Sequence, residues 1–250
     1  GLALIQGAQD CIAALTWTHW PLPGRRLRNS DLPSAVLAKD IVAVKKLLGL
    51  GIDVNGFDQK GSTALIHASG QGLMDMVQLL IKHGADSKIA AQGGATALWA
   101  AISQAQTEIL AVLLNEGADA NQLVGGFPPL NLACFSGSAE QASLLIEYGA
   151  QIETVDSQAQ NALHACAVYL SSEKARLDSV ILVDVLIRAG VAYQDPDSLG
   201  LTPLHLLCGA SLQKAQTLKE GLILSALERL LQEPISIDCV DARGFTPLHH

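Results

Sequence analysis

Histidine and cysteine side chains are the groups in this sequence that could carry chemistry, because they serve as nucleophiles, general bases and metal ligands. Two local pairs have spacings that suggest a metal: His164 with Cys166, and His205 with Cys208. Tetrahedral zinc needs four converging ligands, and each pair offers two. The sequence also lacks a glycine-rich phosphate loop, a Gly-x-Ser-x-Gly turn and a His-Glu-x-x-His motif. We therefore predict no catalytic residues, no metal and no cofactor.

The cysteines are better explained by packing. Cys134 and Cys208 each follow the leucine of a recurring motif by four residues, and Cys166 follows one by three. Recurrence at matching places predicts small, buried side chains rather than reactive thiols. Five cysteines without paired spacing are typical of a reducing compartment. We therefore predict a cytoplasmic protein, with nuclear residence left open.

The elements that hold these residues repeat with a period near 33. A leucine preceded by alanine or proline recurs at positions 65, 98, 130, 163, 204 and 248, with separations of 33, 32, 33, 41 and 44 residues. A glycine recurs independently at positions 51, 84, 117, 149 and 190, with separations of 33, 33, 32 and 41 residues. Two markers that keep the same period indicate a repeat architecture.

The residue types explain how each repeat folds. A threonine before the motif leucine, as at Thr63 and Thr202, caps a helix N-terminus, and the proline that follows at 203 suits the first helical position. A second helix with helical apolar spacing comes next and ends at the glycine, which adopts a left-handed conformation at little cost. Such a short helix pair cannot bury its own apolar face, so neighbouring repeats must stack.

The motifs Thr202–His205 and Thr246–His249, both Thr-Pro-Leu-His, and the Gly-Ala-Asp runs ending at Asp86 and Asp119 resemble ankyrin repeats over about residues 31–250. The resemblance implies an all-α solenoid of stacked helix-turn-helix units joined by β-hairpin-like loops. It also implies that His164, His205 and His249 tie hairpin backbone to a helix start. Protein binding would then use a concave face built from the hairpin tips and the exposed sides of the first helices.

The chain departs from the repeat pattern in several places. Residues 1–30 do not fit the period, and we predict a helical extension with a Pro/Arg-rich linker, or alternatively a remnant of a preceding domain. Residues 31–250 hold about six repeats, of which the first is degenerate and the last is cut, so we expect either further sequence beyond it or an excised fragment. Extra residues near 171–178 and 211–221 represent either tolerated loop growth or a specific contact, and they would lengthen helices or form a protrusion.

Charge and hydropathy exclude two classes of partner. A net charge of −8 repels phosphate backbones, so we predict no nucleic-acid binding. The uncharged stretches 89–107 and 120–139 are interrupted by Gly93-Gly94 and Pro128-Pro129, so we predict no insertion into a membrane. No small-molecule substrate is expected either.

The function predicted is therefore a non-catalytic interaction module that docks another protein or a peptide; the alternative is a regulatory or targeting arm of a larger multidomain enzyme. Candidate partner-binding residues are those that the repeat pattern leaves free. Aromatic residues are scarce, at 4%, and large rigid side chains dominate interface energies. Trp99 stands where the family motif has histidine. The candidates are Phe57, Gln59, Lys60, Ser62, Gln92, Trp99, Phe127, Phe135, Tyr148 and Tyr169.

Overall fold

The computed structural model describes residues 26–172, 174–176, 180–211 and 217–250. The helix predicted near the start of the chain, and parts of the two predicted insertions, lie outside these residues. The described residues form helix pairs, and the predicted all-α fold of stacked helix-turn-helix units is confirmed. The helices are α1 Asp31–Leu37, α2 Ile41–Gly49, α3 Ala64–Gly70, α4 Met74–Lys82, α5 Ala97–Ser103, α6 Thr107–Asn115, α7 Pro129–Phe135, α8 Ala139–Glu147, α9 Ala162–Leu170, α10 Val180–Ala189, α11 Pro203–Ser211 and α12 Thr217–Leu230, followed by a 3-10 turn at Pro247–His249.

Side-chain caps begin the first helices α3 and α5, and left-handed glycines follow the second helices α4, α6, α8 and α10. The Thr63 hydroxyl accepts a hydrogen bond from the Ile66 amide at 3.3 Å, and Thr96 does the same for Trp99 at 3.2 Å. At the other end, Gly84 has a φ of 84°, a region that side chains disfavour. The glycines at 117, 149 and 190 share this conformation. Thr63 and Thr96 therefore cap first helices as predicted, and these glycines follow second helices as predicted.

The structure divides into two compact units, with the boundary between Asp119 and Ala120. In the N-terminal unit, the first helices α1, α3 and α5 pack side by side, and each also packs against the second helix of its own repeat. The core is a stripe of small aliphatic side chains. Leu47, Leu65, Leu80, Leu98 and Leu110 are among its fully buried members. Stacking therefore buries the apolar faces that one helix pair cannot bury alone.

The C-terminal unit repeats this arrangement. Its first helices α7, α9 and α11 pack in a row, its second helices α8, α10 and α12 form another, and the 3-10 turn packs on α11. Leu130, Leu145, Leu163 and Leu182 lie in its core. In both units, successive hairpins are joined through the backbone: the Gln92 amide donates to the Lys60 carbonyl at 3.1 Å in the N-terminal unit.

The longer repeats use part of their extra residues as helix. α9 and α11 have nine residues each, whereas α3, α5 and α7 have seven, and α12 has 14 residues where α4, α6 and α8 have nine. Every helix in the described ranges has 14 residues or fewer, which is too short to span the hydrocarbon core of a membrane.

Candidate functional site

The residue that follows the motif leucine links each repeat of the C-terminal unit to the next. His164 Nε2 donates to the Leu201 carbonyl at 2.9 Å, and His205 Nε2 donates to the Phe245 carbonyl at 3.2 Å. Asn131 occupies the same position in the preceding repeat, and its Nδ2 donates to the Gln160 carbonyl at 2.8 Å. The histidines therefore hold the stack together, and Asn131 does the same work where the family motif is lost.

The other ring nitrogen of each histidine is also used. The Thr202 amide lies 3.1 Å from His205 Nδ1, and His164 Nδ1 lies 3.3 Å from the Asn161 amide and 2.8 Å from Asn161 Oδ1, so both second nitrogens contact the residue that precedes their helix. Burial lowers the pKa of His164, although the Leu201 carbonyl and nearby aspartates favour the charged form. Neither ring has a nitrogen left for a metal. Across the described ranges, no group of three or more His, Cys, Asp or Glu side chains is placed to hold one.

The cysteines divide by burial. Cys134 and Cys166 are fully buried, and burial raises the pKa of both thiols, that of Cys166 to about 12. Cys208 is partly buried, and burial raises its pKa as well. A thiol with a raised pKa stays protonated near neutral pH and is a poor nucleophile. These three cysteines therefore behave as packing residues.

An amide side chain four residues after the closing glycine forms a second link between repeats. Asn121 Nδ2 donates to the Gly149 carbonyl at 3.0 Å, and Asn121 Oδ1 accepts from the Gln151 amide at 2.8 Å. Asn55 makes the equivalent contacts to Gly84 and Asp86 in the N-terminal unit. This link was not predicted from the sequence, although a signal existed: Asn or Gln recurs at this place at 55, 121 and 194.

Aspartates fix the hairpins. Asp58 Oδ1 accepts from the Lys60 amide at 2.8 Å and from the Ser62 amide at 3.0 Å. Asp156, Asp197 and Asp241 make the same pair of contacts in their own hairpins. Burial works against ionisation of Asp58, but hydrogen bonds from His67 and these two amides outweigh it, and its pKa is lowered. The hairpins are therefore held in shape before any partner arrives.

Most of the predicted partner-binding residues reach solvent. Phe57, at the start of a hairpin, is 64% exposed, and Phe135, the last residue of α7, is 51% exposed. Trp99 and Phe127 are half-buried. The remaining exposed candidates are Gln59, Lys60, Gln92 and Tyr148.

Two candidates are corrected by their burial. Tyr169 is only 7% exposed: its ring occupies the space where Gly137 lacks a side chain, and its hydroxyl donates to the Lys174 carbonyl at 2.8 Å. Ser62 is 9% exposed because its amide and carbonyl close the hairpin onto Asp58. The expectation that these two residues lie free at the surface was wrong. The structure brings Lys60 and Gln92 together through their backbone bond.

A cleft of about 330 Å³ opens between α9 and α11 of the C-terminal unit. Its walls include Val168, Leu206 and Gly209, and His205 and His250 also line it. Gly209 stands at the place where α7 carries Phe135, and the His250 side chain packs beside it.

Comparisons with known proteins agree with this architecture. A family model for ankyrin repeats, with three copies, matches residues 32–124. A protein of Acanthamoeba polyphaga mimivirus, named for its ankyrin repeats, is 26% identical over 200 residues, which are 72% of this chain and 22% of that protein. An ankyrin repeat protein of variola virus is 32% identical over 108 residues, or 43% of this chain and 17% of that protein. The chain thus spans about a fifth of the length of these relatives.

The repeat continues in the structure past residue 124. The helix pair, the left-handed closing glycine and the histidine link recur up to the Thr246–His249 motif. Residues 32–124 are thus similar to ankyrin repeats, and helix pairs of the same kind continue beyond them in the described residues.

Proposed function

We propose that this chain is a non-catalytic protein–protein interaction module that docks a protein or an extended peptide on the concave face and hairpin tips of its repeats. Ankyrin repeats are in general protein–protein interaction modules.

The proposal rests on the contrast between side chains that are used within the fold and aromatic side chains that are left exposed. The histidines and buried cysteines that could have done chemistry are used in links between repeats and in packing. Phe57 and Phe135 are large, apolar and more than half exposed, on a hairpin and at the end of a first helix. Exposed aromatic side chains are unfavourable in water and become favourable once a partner buries them.

Rigidity of the hairpins supports the same function. Asp58 holds its hairpin through two backbone amides, and the Lys60 carbonyl is bonded to the next hairpin. A surface that is already ordered loses little conformational entropy on binding, so more of the contact energy appears as affinity. The cleft between α9 and α11 offers a further place for a partner side chain.

Paired substitutions on the full natural protein test the docking surface. Phe57→Asp and Phe135→Asp should each abolish capture of the natural partner, identified by affinity purification with mass spectrometry, because a carboxylate in the interface cannot be buried without a large penalty. Ile181→Asp is the matched control, because Ile181 is 58% exposed but lies on the second helix α10.

All three variants should keep the melting temperature of the unsubstituted protein. Retained capture by both phenylalanine variants, or equal loss with the Ile181 control, would remove the support for this docking surface. The alternative, an arm of a larger multidomain enzyme, concerns sequence outside residues 1–250 and stays a prediction. A cytoplasmic location is likewise a proposal, supported by the unpaired spacing of the cysteines.

A further inference from the structure

The residue six positions after each closing glycine is exposed and apolar. In the C-terminal unit these residues are Leu123, Val155 and Pro196, and Val240 holds the same position in the last hairpin, counted from Pro234. Phe57 and Ala90 stand at this position in the N-terminal unit and are exposed as well. We call Leu123, Val155, Pro196 and Val240 the hairpin row.

Hydrogen bonds between hairpins place the members of the hairpin row side by side. The Ser198 amide donates to the Gln158 carbonyl at 2.8 Å, and the Ala242 amide donates to the Leu199 carbonyl at 3.0 Å. Asn121 and Gln194 add side-chain links from one hairpin to the end of the next repeat. Equivalent positions on neighbouring hairpins of the C-terminal unit therefore follow one another in a line of exposed apolar residues.

Carboxylates flank this line. Glu153, Asp195 and Asp238 are exposed, each lies within two residues of a member of the row, and none has a cationic partner among the described residues. Glu153 and Asp238 occupy the place where Asn121 links two repeats, and a carboxylate cannot donate a hydrogen bond to the next carbonyl. Their charge is thus available to a partner.

The charge of the molecule is concentrated in this unit. Residues 120–250 include 14 acidic and seven basic residues, which account for −7 of the net charge of −8. A cationic segment would be attracted to this unit during its approach, and an anionic one would be repelled.

Repeat spacing sets the pattern of the partner. Packed helices lie about 8–10 Å apart, so members of the row should recur at about that interval. A polyproline II segment advances about 9 Å in three residues and returns to the same face. An apolar side chain at every third residue would then meet each member of the row, and the residues between them would meet the carboxylates.

We propose that the hairpin row docks an extended protein segment that carries an apolar residue at every third position and lysine or arginine between. This inference rests on the proposed function and names the class of partner for the hairpin side of the docking surface.

Binding of synthetic peptides tests the inference. The probe is a fluorescein-labelled 15-residue peptide of five Leu-Lys-Pro repeats, titrated with the 250-residue protein and followed by fluorescence anisotropy. It should bind saturably, and its affinity should fall as salt is raised. Peptides of Leu-Glu-Pro repeats and of Ser-Lys-Pro repeats should bind much more weakly, because the first lacks the cations and the second lacks the apolar residues.

Two triple variants with the same net charge distinguish a contact between the peptide and the row's carboxylates from a general attraction of the cationic peptide to the acidic protein. Glu153→Gln with Asp195→Asn and Asp238→Asn should weaken binding of the Leu-Lys-Pro peptide by about tenfold, from three exposed ion pairs. The matched control combines Glu140→Gln, Glu147→Gln and Glu228→Gln, all exposed on second helices, and should change the affinity by less than about twofold. Circular dichroism melting should show both triple variants folded.

Equal loss in the two triple variants, tight binding of the Leu-Glu-Pro peptide or no saturable binding of the Leu-Lys-Pro peptide would overturn the inference. If the peptide result is negative while Phe57→Asp or Phe135→Asp still abolishes capture of the natural partner, the hairpin row is not the site but the proposed function stands. If both phenylalanine variants still capture the natural partner, the proposed function fails whatever the peptide result is.

Discussion

Gln141 presents the clearest energetic anomaly in the C-terminal unit. Its side chain lies in α8 and is fully buried, and neither its amide nitrogen nor its amide oxygen has a hydrogen-bond partner in the described part of the chain. The equivalent position carries Met76 in α4 and Ile109 in α6, both buried. A polar amide therefore stands where the repeat pattern calls for an apolar side chain.

Replacing Gln141 with methionine should stabilise the protein. The two side chains are similar in length, so the packing changes little, while the unpaired polar atoms disappear. An unsatisfied buried polar group costs about 1–3 kcal/mol, so the free energy of unfolding should rise by about that amount. For a protein of this size, the melting temperature should then rise by roughly 2–10 °C.

Urea denaturation followed by circular dichroism measures the change, and Gln78→Met is the matched control. Gln78 lies on α4, also a second helix, but is exposed, so its substitution should change stability by less than about 0.5 kcal/mol. An unchanged or reduced stability for Gln141→Met would refute the reasoning, because it would mean that the buried amide is satisfied in solution.

Three further predictions follow from other contacts. Asn121→Ala removes two hydrogen bonds between repeats, so the free energy of unfolding measured by urea denaturation should fall by about 1–2 kcal/mol. No change would mean that water replaces both bonds at no cost. Burial lowers the folded-state pKa of His164 below 6.5, so its contribution to stability should be complete above pH 6.5 and should decline as the pH falls below that value. His164→Asn should therefore make the melting temperature depend less on pH between pH 7.5 and 5.5. An equally steep decline in that variant would assign the pH dependence to other groups. Gly137→Ala should lower the melting temperature more than Gly125→Ala does. Both glycines have positive φ, but only at 137 would the added carbon meet the Tyr169 ring. Equal melting temperatures would show that the ring moves aside freely.

Local features of the fold were predictable because their causes lie within a few residues. Thr63 caps a helix three residues away, and Gly84 ends a helix through its own backbone conformation. Both effects can be read from neighbouring residue types. The link made by His164 was implied by the family resemblance, and the structure supplies its acceptor, Leu201, 37 residues further on.

Contacts between repeats were harder to predict because their partners lie far away in sequence. The acceptor for Asn121 is 28 residues distant, so no local pattern distinguishes it from a surface asparagine. Tyr169 looked free because its own repeat leaves it uncovered. It is buried because the preceding repeat has a glycine at position 137, which leaves room for the ring. Position in the repeat therefore predicted which residues are candidates for partner binding, but it did not predict how exposed each of these residues is.

Hydrogen exchange by mass spectrometry on the natural partner complex tests the central claim most directly. Binding should slow exchange in the hairpin around residues 57–62 and in the first helix α7, and should leave the exposed faces of the second helices α4 and α8 unchanged. Protection confined to the second helices, with the hairpins and first helices unaffected, would contradict the assignment of the docking surface.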